Sequence, residues 1–274
     1  MANGFALSVS SLESHEQSLE RIRRFQPKMY IQFETEEFLV KTAERQPEFM
    51  AVLQLRHDVF IREWQGRELP SGLDLEPYDF VGDHILIINK KLGAVVGTYR
   101  VLCSEFCDRF YSQDEFYMSS FLMRPGTKLE LGRACIHPDF RDGNTIDLLW
   151  KGLARYIDAT RSQYLFGCTS IKTIEQKNIE NLLGDLRRQD YWVDDYQIRA
   201  TTDYKFSGLN YQTAEADSQF RARDLMPPLL RSYLHAGAKV YGEPAIDHQF
   251  ACVDLLTILD MRHLTKRFQS RYFA

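Results

Sequence analysis

The segment 129–157 constrains the fold more than any other part of the chain. Residues 129–136 are predicted to form a strand, which stops at Pro138 because proline cannot donate to a β-ladder. A helix follows at once, with Asn144 or Thr145 as its N-cap and an apolar stripe at helical spacing. The stripe consists of Ile146, Leu149, Trp150, Leu153 and Ile157. A strand that turns directly into an amphipathic helix is typical of α/β and α+β domains.

The rest of the chain also alternates strands with helices. Further strands are predicted at 85–88, 95–102, 164–170 and 253–259, and further helices at 47–64, 174–189 and 225–237. The first two strands form a hairpin across a polar turn. This order predicts one α+β (α/β three-layer) domain over 28–274, preceded by a flexible extension over 1–27.

Composition excludes several classes of protein. Of the 274 residues, 44% are hydrophobic and 26% are charged, which argues against a disordered chain or a coiled coil. The net charge of −4 argues against nucleic acid as a partner, since nucleic-acid binders usually carry a basic excess. Five scattered cysteines without a CxxC pair indicate a reducing compartment and predict no metal site. With no apolar stretch of about 20 residues and no signal-like start, a cytoplasmic protein is expected.

The turn before the helix at 146–157 has the features of an anion site. Free backbone N–H groups at a helix N-terminus attract a phosphate, and Arg141 and Gly143 would let a pyrophosphate or phosphopantetheine approach. Most such turns only reverse the direction of the chain, so the pattern alone does not identify a phosphate-binding site. Glu130 stands on the strand before it, and a carboxylate on a core strand is costly unless it is paired or functional.

Residues 130–141 resemble the fourth strand and acyl-carrier loop of the GNAT-fold acyltransferases. Within that fold the chain is similar to the branch of bacterial ornithine N-acyltransferases (the hemolysin-like GNAT branch), which is related to acyl-homoserine-lactone synthases. Further segments carry the resemblance, in order 56–60, 79–84, 97–100, 148–150, 166–170, 226–238 and 247–254. The resemblance implies the GNAT (acyl-CoA N-acyltransferase) fold, a mixed central sheet with helices on both faces.

The resemblance also implies a reaction. A long-chain (3-hydroxy) fatty acyl group would move from acyl carrier protein to the α-amine of ornithine, giving lyso-ornithine lipid. Glu130 would take the amine proton, directly or through water. Arg133 is three residues further on, so in a regular strand the two side chains would face opposite sides. A β-bulge that restores a common face is therefore predicted, the alternative being that Arg133 holds the carrier arm.

Amino-acid binding is assigned by resemblance to a second set of residues. Arg56 and Arg100 are expected in a salt-bridge network with Asp79 and Asp83, and a purely structural network is the alternative. Phe60 and Trp64 are included as substrate contacts, although their place on the apolar face of a helix also fits a core role. An ion pair with Arg100 is the structural alternative for Glu130.

Donor binding is assigned to the loop after the strand. Its expected contacts to the pantetheine arm are Ile136, Arg141, Gly143, Asn144 and Thr145. The loop departs from the Arg/Gln-x-x-Gly-x-Gly/Ala pattern of many GNAT enzymes, which puts coenzyme A in doubt and fits acyl carrier protein. That partner is acidic, so Lys151, Arg155 and Arg161 are the expected docking residues.

Several alternatives stay open at this level. The acceptor could be glycine, lysine or glutamine, and the chain could be an acyl-homoserine-lactone synthase or a non-catalytic lipid- or carrier-binding protein. The spacing of Asp79 and Asp83 is one residue longer than in the lactone synthases. No permanently bound cofactor is expected, since the acyl-phosphopantetheine of the carrier is the donor. The product is amphipathic, so transient contact with the inner membrane surface is compatible with a cytoplasmic protein. The aromatic section 106–121 fits either an acyl-chain tunnel or an ordinary aromatic cluster.

Overall fold

The computed structural model describes residues 15–217 and 219–273. The chain divides into two compact units, where the sequence predicts a single domain over 28–274. Of the described residues, the first unit contains 15–100 and 133–152, and the second contains 101–132, 153–217 and 219–273. Two strands and one helix cross from one set of residues to the other: β4 (Ala94–Cys103), β6 (Lys128–Ile136) and α5 (Asn144–Thr160).

The first unit begins with two helices and two short strands before the predicted hairpin. Its other elements are α1 (His15–Arg23), β1 (Gln32–Glu34), β2 (Phe38–Thr42), α2 (Gln46–Arg56), a π-helix (His57–Trp64) and β3 (Asp83–Asn89). β2 pairs antiparallel with both β1 and β3, and β3 is followed by β4. The predicted hairpin is therefore present as β3 and β4. The helix predicted over 47–64 is also present, but its second half is π-helical.

The hydrophobic core of this unit corrects the boundary at residue 27. Ile22 and Phe25 are buried, and the ring of Phe25 stacks on that of Phe49 with centroids 4.1 Å apart. The helical spacing of apolar residues in α2 places Phe49, Val52 and Leu53 in the same cluster. Residues 15–27 thus belong to the folded unit and are not a flexible extension. The rest of the predicted extension, 1–14, lies outside the described residues.

The second unit contains a mixed sheet with helices. Its remaining helices are α3 (Ser112–Glu115), α4 (Ser119–Leu122), α6 (Gln176–Arg188), α7 (Pro228–Ala236) and α8 (Lys266–Tyr272). Its remaining strands are β5 (Phe116–Tyr117), β7 (Tyr164–Ile171), β8 (Trp192–Val193), β9 (Arg199–Ala200), β10 (Lys239–Tyr241), β11 (Ala245–Asp247) and β12 (Cys252–Asp260). β7 is parallel to β6 and antiparallel to β12, which confirms the prediction of a mixed sheet.

Packing in the second unit explains the aromatic section 106–121. Phe110 and Phe121 are buried, and both rings meet Phe166 of β7 edge-on, with centroids 5.0 and 5.3 Å apart. These rings are therefore core residues in this structure. A second cluster forms where α6 and α7 cover β12, with Leu182, Leu230 and Leu255 among its members. Among the helices of the described residues, none is long and apolar enough to cross a membrane.

Candidate active site

Six charged side chains of the first unit form a buried arginine–carboxylate cluster. Its members are Arg56, Asp74, Glu76, Asp79, Arg100 and Arg133. Arg56 ends α2 and is fully buried; its Nε donates to Asp74 at 2.8 Å, and its two Nη atoms donate to Asp79 at 2.6 and 3.1 Å. Such a bidentate pair fixes both groups in one plane.

Glu76 joins the other two arginines of the cluster. Arg100 on β4 donates from Nη1 to Glu76 at 2.7 Å and to Asp79 at 3.2 Å. Arg133 on β6 donates from Nε to the same carboxylate at 3.1 Å and from Nη2 to its other oxygen. The three carboxylates and three guanidiniums balance one another, as buried charges must.

A short 3₁₀-helix, Pro77–Phe80, brings the two central carboxylates together. Glu76 is its N-cap and Asp79 its third residue, and each side chain accepts a hydrogen bond from the other's backbone N–H in a capping box. Pro77 suits the first position because its φ is already helical. Both carboxylates therefore point to the same side of the turn, where the arginines lie.

The arginines keep these carboxylates ionised. Burial alone would raise the pKa of Glu76, but Arg133 and Arg100 outweigh it and lower that pKa to about 2. Burial acts in the same way on Asp79, and Arg56 and Arg100 hold its pKa well below the usual range. Glu76 and Asp79 are thus ionised at neutral pH, and neither is suited to take a proton from a substrate.

Arg133 reaches the cluster through an irregularity in β6. Its φ is +52°, in the left-handed region that side chains rarely adopt. The N–H of His137 donates to Val96 O, whereas the N–H of Ser104 donates to Lys128 O. Nine residue steps along β6 therefore correspond to eight along β4, so β6 contains one extra residue. This is the bulge that the spacing of Glu130 and Arg133 predicts.

The structure places Asp79 and Asp83, two predicted members of the network, in different surroundings. Asp79 is at the centre of the cluster, with Arg56 and Arg100. Asp83 was expected beside it, but its two oxygens accept the backbone N–H groups of Lys28 and Met29 at 2.8 Å, which fixes the chain before β1 to the start of β3. Asp74 and Glu76 also belong to the cluster but are not predicted from the sequence. The sequence does contain a signal for Glu76. It is followed by a proline and, three positions on, by a second acid, which is the pattern of a capping box.

Glu130 lies in the second unit, buried on β6. Its carboxylate accepts the backbone N–H of Tyr111 at 2.7 Å and of Ser112 at 2.6 Å, together with the Ser112 hydroxyl. Arg100, the structural partner that the sequence suggests for Glu130, forms ion pairs with Glu76 and Asp79 in the first unit. Nothing in the local sequence of Glu130 indicated Ser112, because the two are 18 residues apart.

Glu130 is also the last residue of β6 that pairs with β7. The ladder runs from Lys128–Tyr164 to Glu130–Phe166, while the strands themselves continue to Ile136 and Ile171. Opposite the point of separation is Gly167, where an added Cβ would lie 2.2 Å from the carbonyl oxygen of Leu131. Two parallel strands that part after a buried carboxylate leave backbone groups of β6 available for an extended ligand.

The chain is similar in sequence to known acyltransferases. The chain is 30% identical over 249 residues to the L-ornithine N(alpha)-acyltransferase of Brucella abortus (strain 2308), covering 86% of this chain and 88% of that one. The chain belongs to this family. The relative from Agrobacterium fabrum (strain C58 / ATCC 33970) is 29% identical over 247 residues, with 85% and 84% covered. Residues 55–151 match the acetyltransferase (GNAT) domain.

Solved structures show the same fold. The AHL synthase LasI aligns with a TM-score of 0.50 at 14% identity, over 87% of this chain and 96% of that one. FeeM, an N-acyl amino acid synthase from uncultured soil microbes, aligns with a TM-score of 0.50 at 9% identity, over 84% and 95%. These similarities confirm the predicted GNAT acyltransferase fold.

The loop predicted to hold the donor lies within the GNAT match. Arg141 forms a bidentate ion pair with Glu63 at 2.6 Å and donates from Nε to the carbonyl of Ile136 at 3.0 Å. Gly143 has a φ of +91°, and α5 begins at Asn144, whose N–H donates to Asp142. Neither Asn144 nor Thr145 is thus the N-cap that the sequence predicts.

Thr145 contributes an open polar atom at the start of α5. Its side chain is buried, and Oγ1 has no hydrogen-bond partner among the described residues. A cavity of about 680 Å³ lies beside this end of the helix. Charged residues of both signs line it, namely Glu36, Glu37, Lys90, Lys91, Asp139, Asp142, Asp147 and Lys151. Asn144 lines this cavity, whereas Thr145 is buried and is not among its lining residues, so the first-turn N–H groups are the groups that can bind a phosphate there. The carboxylates oppose a larger anionic charge.

Phe60 and Trp64 lie on the π-helix and are half-buried. The Arg133 guanidinium is 5.6 Å from the centre of the Phe60 ring, so Phe60 borders the arginine–carboxylate cluster. A π-helix adds a residue to each turn, which shifts side chains after Arg56 from the positions that a 3.6-residue period gives them. π-helical turns are frequent at functional sites.

Other side chains with potentially catalytic groups, a histidine and two cysteines, have structural roles. His84 is fully buried among Phe25 and Phe49, and burial lowers its pKa to about 4, so its ring is neutral. Burial raises the pKa of the Cys135 thiol to about 12 and that of Cys168 well above its usual range. Neutral buried thiols are poor acceptors for an acyl group.

Proposed function

We propose that this protein transfers a long-chain (3-hydroxy) fatty acyl group from acyl carrier protein to the α-amine of ornithine, giving lyso-ornithine lipid. The choice of acceptor is supported by membership in the ornithine N-acyltransferase family. The observation that carries the chemistry is Glu130, buried at the last pair of β6 and β7 before the strands part.

Glu130 would act as the general base. The amine nitrogen attacks the thioester carbonyl, so that a C–N bond forms and the C–S bond breaks. Glu130 takes a proton from the amine, directly or through water, and the departing thiolate takes a proton to leave as a thiol. The Ser112 and Tyr111 hydrogen bonds fix the carboxylate in place for this transfer. Backbone N–H groups of β6 after Glu130 would stabilise the oxyanion.

The arginine–carboxylate cluster has a positional role within the first unit. Its charges are balanced, and the arginines keep Glu76 and Asp79 ionised, so it does not exchange protons with a substrate. Through Glu76 it fixes Arg133, and with it the bulge of β6. Arg133 is therefore proposed as a positioning residue, and Arg56, Asp79 and Arg100 as the frame that holds it.

The charges around the loop favour a donor with few phosphates. Coenzyme A carries a pyrophosphate and a ribose phosphate, whereas the arm of acyl carrier protein is attached through a single phosphodiester. Asp139, Asp142 and Asp147 beside the start of α5 would repel the larger charge more strongly. This supports acyl carrier protein as the donor, with the first-turn N–H groups of α5 as the phosphate site.

Mass spectrometry of reaction products tests the proposal. Purified protein is incubated with 3-hydroxyhexadecanoyl carrier protein and an amino-acid mixture including ornithine, and the matching coenzyme A thioester is run in parallel. We expect N-acylornithine from the carrier donor and much less from coenzyme A.

Glu130→Gln serves as the variant in the same assay, with the exposed Glu105→Gln as its control. Loss of a general base should lower kcat by about 10²- to 10⁴-fold. A different acylated amino acid would contradict the choice of ornithine. No amide from either donor would contradict the enzyme and favour a carrier-binding protein.

A further inference from the structure

Residues 261–273 form a basic segment that follows β12 in the second unit. None of the chain's 38 acidic residues lies in it, but four of its 34 lysines and arginines do, namely Arg262, Lys266, Arg267 and Arg271. The segment therefore carries a charge of +4, whereas the whole chain carries −4, which leaves −8 for the remaining residues. A charge asymmetry of this kind within one chain is typical of a surface that binds an anionic partner.

The basic segment presents its cations to solvent. It consists of a short 3₁₀-helix and α8, and no residue of either helix is buried. The side chains of Lys266, Arg267 and Arg271 are exposed. Arg262 pairs with Asp260, whereas Lys266 and Arg267 form no ion pair within the part of the chain that the structure describes. These two neighbouring cations are therefore available to an external anion.

Two aromatic rings accompany the cations on α8. Phe268 and Tyr272 are four residues apart, so they lie on one side of the helix, and their half-buried rings have centroids 5.4 Å apart. The Arg271 guanidinium is 5.4 Å from the centre of the Tyr272 ring. An acidic protein would satisfy the cations alone. A lipid surface takes both groups, because its anionic head groups attract the cations and rings lie at head-group level.

Hydrogen bonds hold the basic segment in a fixed place. The N–H of Met261 donates to the carbonyl of Gln163 at 3.0 Å, before β7 begins. Thr265 donates from its N–H to the carbonyl of Ala236 at 2.9 Å and from Oγ1 to that of His235 at 3.1 Å, at the end of α7. The cations of α8 therefore belong to a defined surface of the second unit.

This surface lies at the edge of the sheet that is nearest to Glu130. Asp260 at the end of β12 pairs with Tyr164 at the start of β7, and Tyr164 pairs with Lys128 at the start of β6. Glu130 is two residues further along β6, about 7 Å from this edge along the strand. Arg161, which precedes β7 at the same edge, is also exposed. A lipid surface here would be close to the carboxylate at which the acyl product is proposed to form.

We propose that the basic segment binds reversibly to the anionic surface of a lipid bilayer, with Lys266 and Arg267 at the head groups and the rings of Phe268 and Tyr272 at the same level. This inference goes beyond the proposed function, because attachment requires neither donor nor acceptor. The charge of −8 on the rest of the chain is repelled by the same lipids, so attachment turns this edge of the second unit towards the bilayer.

Co-sedimentation of the whole protein with lipid vesicles tests the proposal. One set of vesicles is pure phosphatidylcholine, and the other contains about one third of the anionic phosphatidylglycerol. We expect the wild type to bind the anionic vesicles at low salt and the neutral ones much more weakly. Each basic side chain near an anionic surface is worth about fivefold in partitioning, so Lys266→Gln/Arg267→Gln should lower the partition coefficient at least tenfold.

Lys172→Gln/Lys177→Gln is the matched control, because it removes two exposed charges elsewhere in the second unit and should bind as the wild type does. Equal binding of the wild type to both kinds of vesicle, or to neither, overturns the inference. So does wild-type binding by Lys266→Gln/Arg267→Gln. If that variant instead loses kcat/KM with acyl carrier protein in the absence of vesicles, the segment binds the carrier and not lipid. The vesicle assay contains no acyl donor, so its result is independent of whether the proposed reaction occurs.

Discussion

Glu76 is the residue that ties the bulge of β6 to the buried arginines. Its carboxylate meets Arg133 and Arg100, and these two cations lower its pKa from 4.5 to about 2. A pKa that is lower in the folded state means that the unfolded chain binds the proton more strongly. The stability from Glu76 is therefore complete above pH 4.5 and is lost as the pH falls towards 2.

Glu76→Gln should consequently show a pH-dependent loss of stability. At pH 7 we expect the free energy of unfolding to fall by about 3 kcal/mol, because two arginines lose a buried partner. The difference from the wild type should shrink as the pH is lowered from 4.5 towards 2, and urea denaturation at several pH values measures it. Glu68→Gln is the control, since Glu68 is exposed, pairs with the exposed Arg62 and lies 4.0 Å from Nε2 of His57, which makes a small effect expected. An equal difference at pH 7 and pH 3 would contradict this role.

Among the elements, β6 has three features that bear on the proposed site. It pairs with β7 up to Glu130, it carries the bulge at Arg133, and it leads into the loop before α5. The contact that fixes where it leaves β7 is between two backbones, because Gly167 faces the carbonyl oxygen of Leu131. Only a residue without Cβ fits at this distance.

Gly167→Ala tests that contact. The added methyl group would lie 2.2 Å from Leu131 O, and backbone atoms cannot move away as a flexible side chain can. We expect a loss of about 1–3 kcal/mol in the free energy of unfolding from overpacking, with a large loss of kcat because Glu130 shifts. Gly93→Ala is the control for kcat: its Cβ would meet nothing within 4 Å, and its φ of +63° makes an alanine there lower the stability by backbone strain alone, with turnover unchanged. Wild-type stability and turnover in Gly167→Ala would show that the strands part for another reason.

The elements also show how far sequence reasoning reaches. Apolar periodicity over eight or more residues located α5, α6 and β12, because a long regular pattern has few alternatives. Strands of two or three residues, such as β8 and β11, have no pattern to detect. The network predicted for Arg56 and Arg100 includes Asp79, but the sequence did not indicate Glu76, which the 3₁₀-helix brings beside Asp79 at a spacing of three. Ser112 meets Glu130 only through the tertiary fold.

At the scale of the whole molecule, the net charge opposes the docking of an acidic donor protein. The net charge is −4, and acyl carrier protein is acidic, so the overall fields repel each other. Association with acyl carrier protein, the proposed donor, would then depend on a local basic surface. Lys151 and Arg155 are exposed on successive turns of α5, the helix that begins at the proposed phosphate site. Lys151 also pairs with Asp147 one turn before it, at 2.9 Å, which holds its amine near that end of the helix.

The double variant Lys151→Gln/Arg155→Gln should weaken docking without changing the chemistry. We expect kcat/KM with acyl carrier protein to fall about tenfold at low salt, because charged surfaces chiefly change the association rate. The loss should diminish as salt shortens the screening length from about 10 Å at 0.1 M to about 3 Å at 1 M. With acyl-pantetheine, a donor without a protein, turnover should equal that of the wild type. Lys172→Gln/Lys177→Gln removes two exposed charges elsewhere and should leave both donors unaffected. An equal loss with acyl-pantetheine would show that these residues contact the pantetheine arm and not the carrier protein. No loss with the carrier would show that the carrier docks on another basic surface, such as that of Arg221 and Arg223.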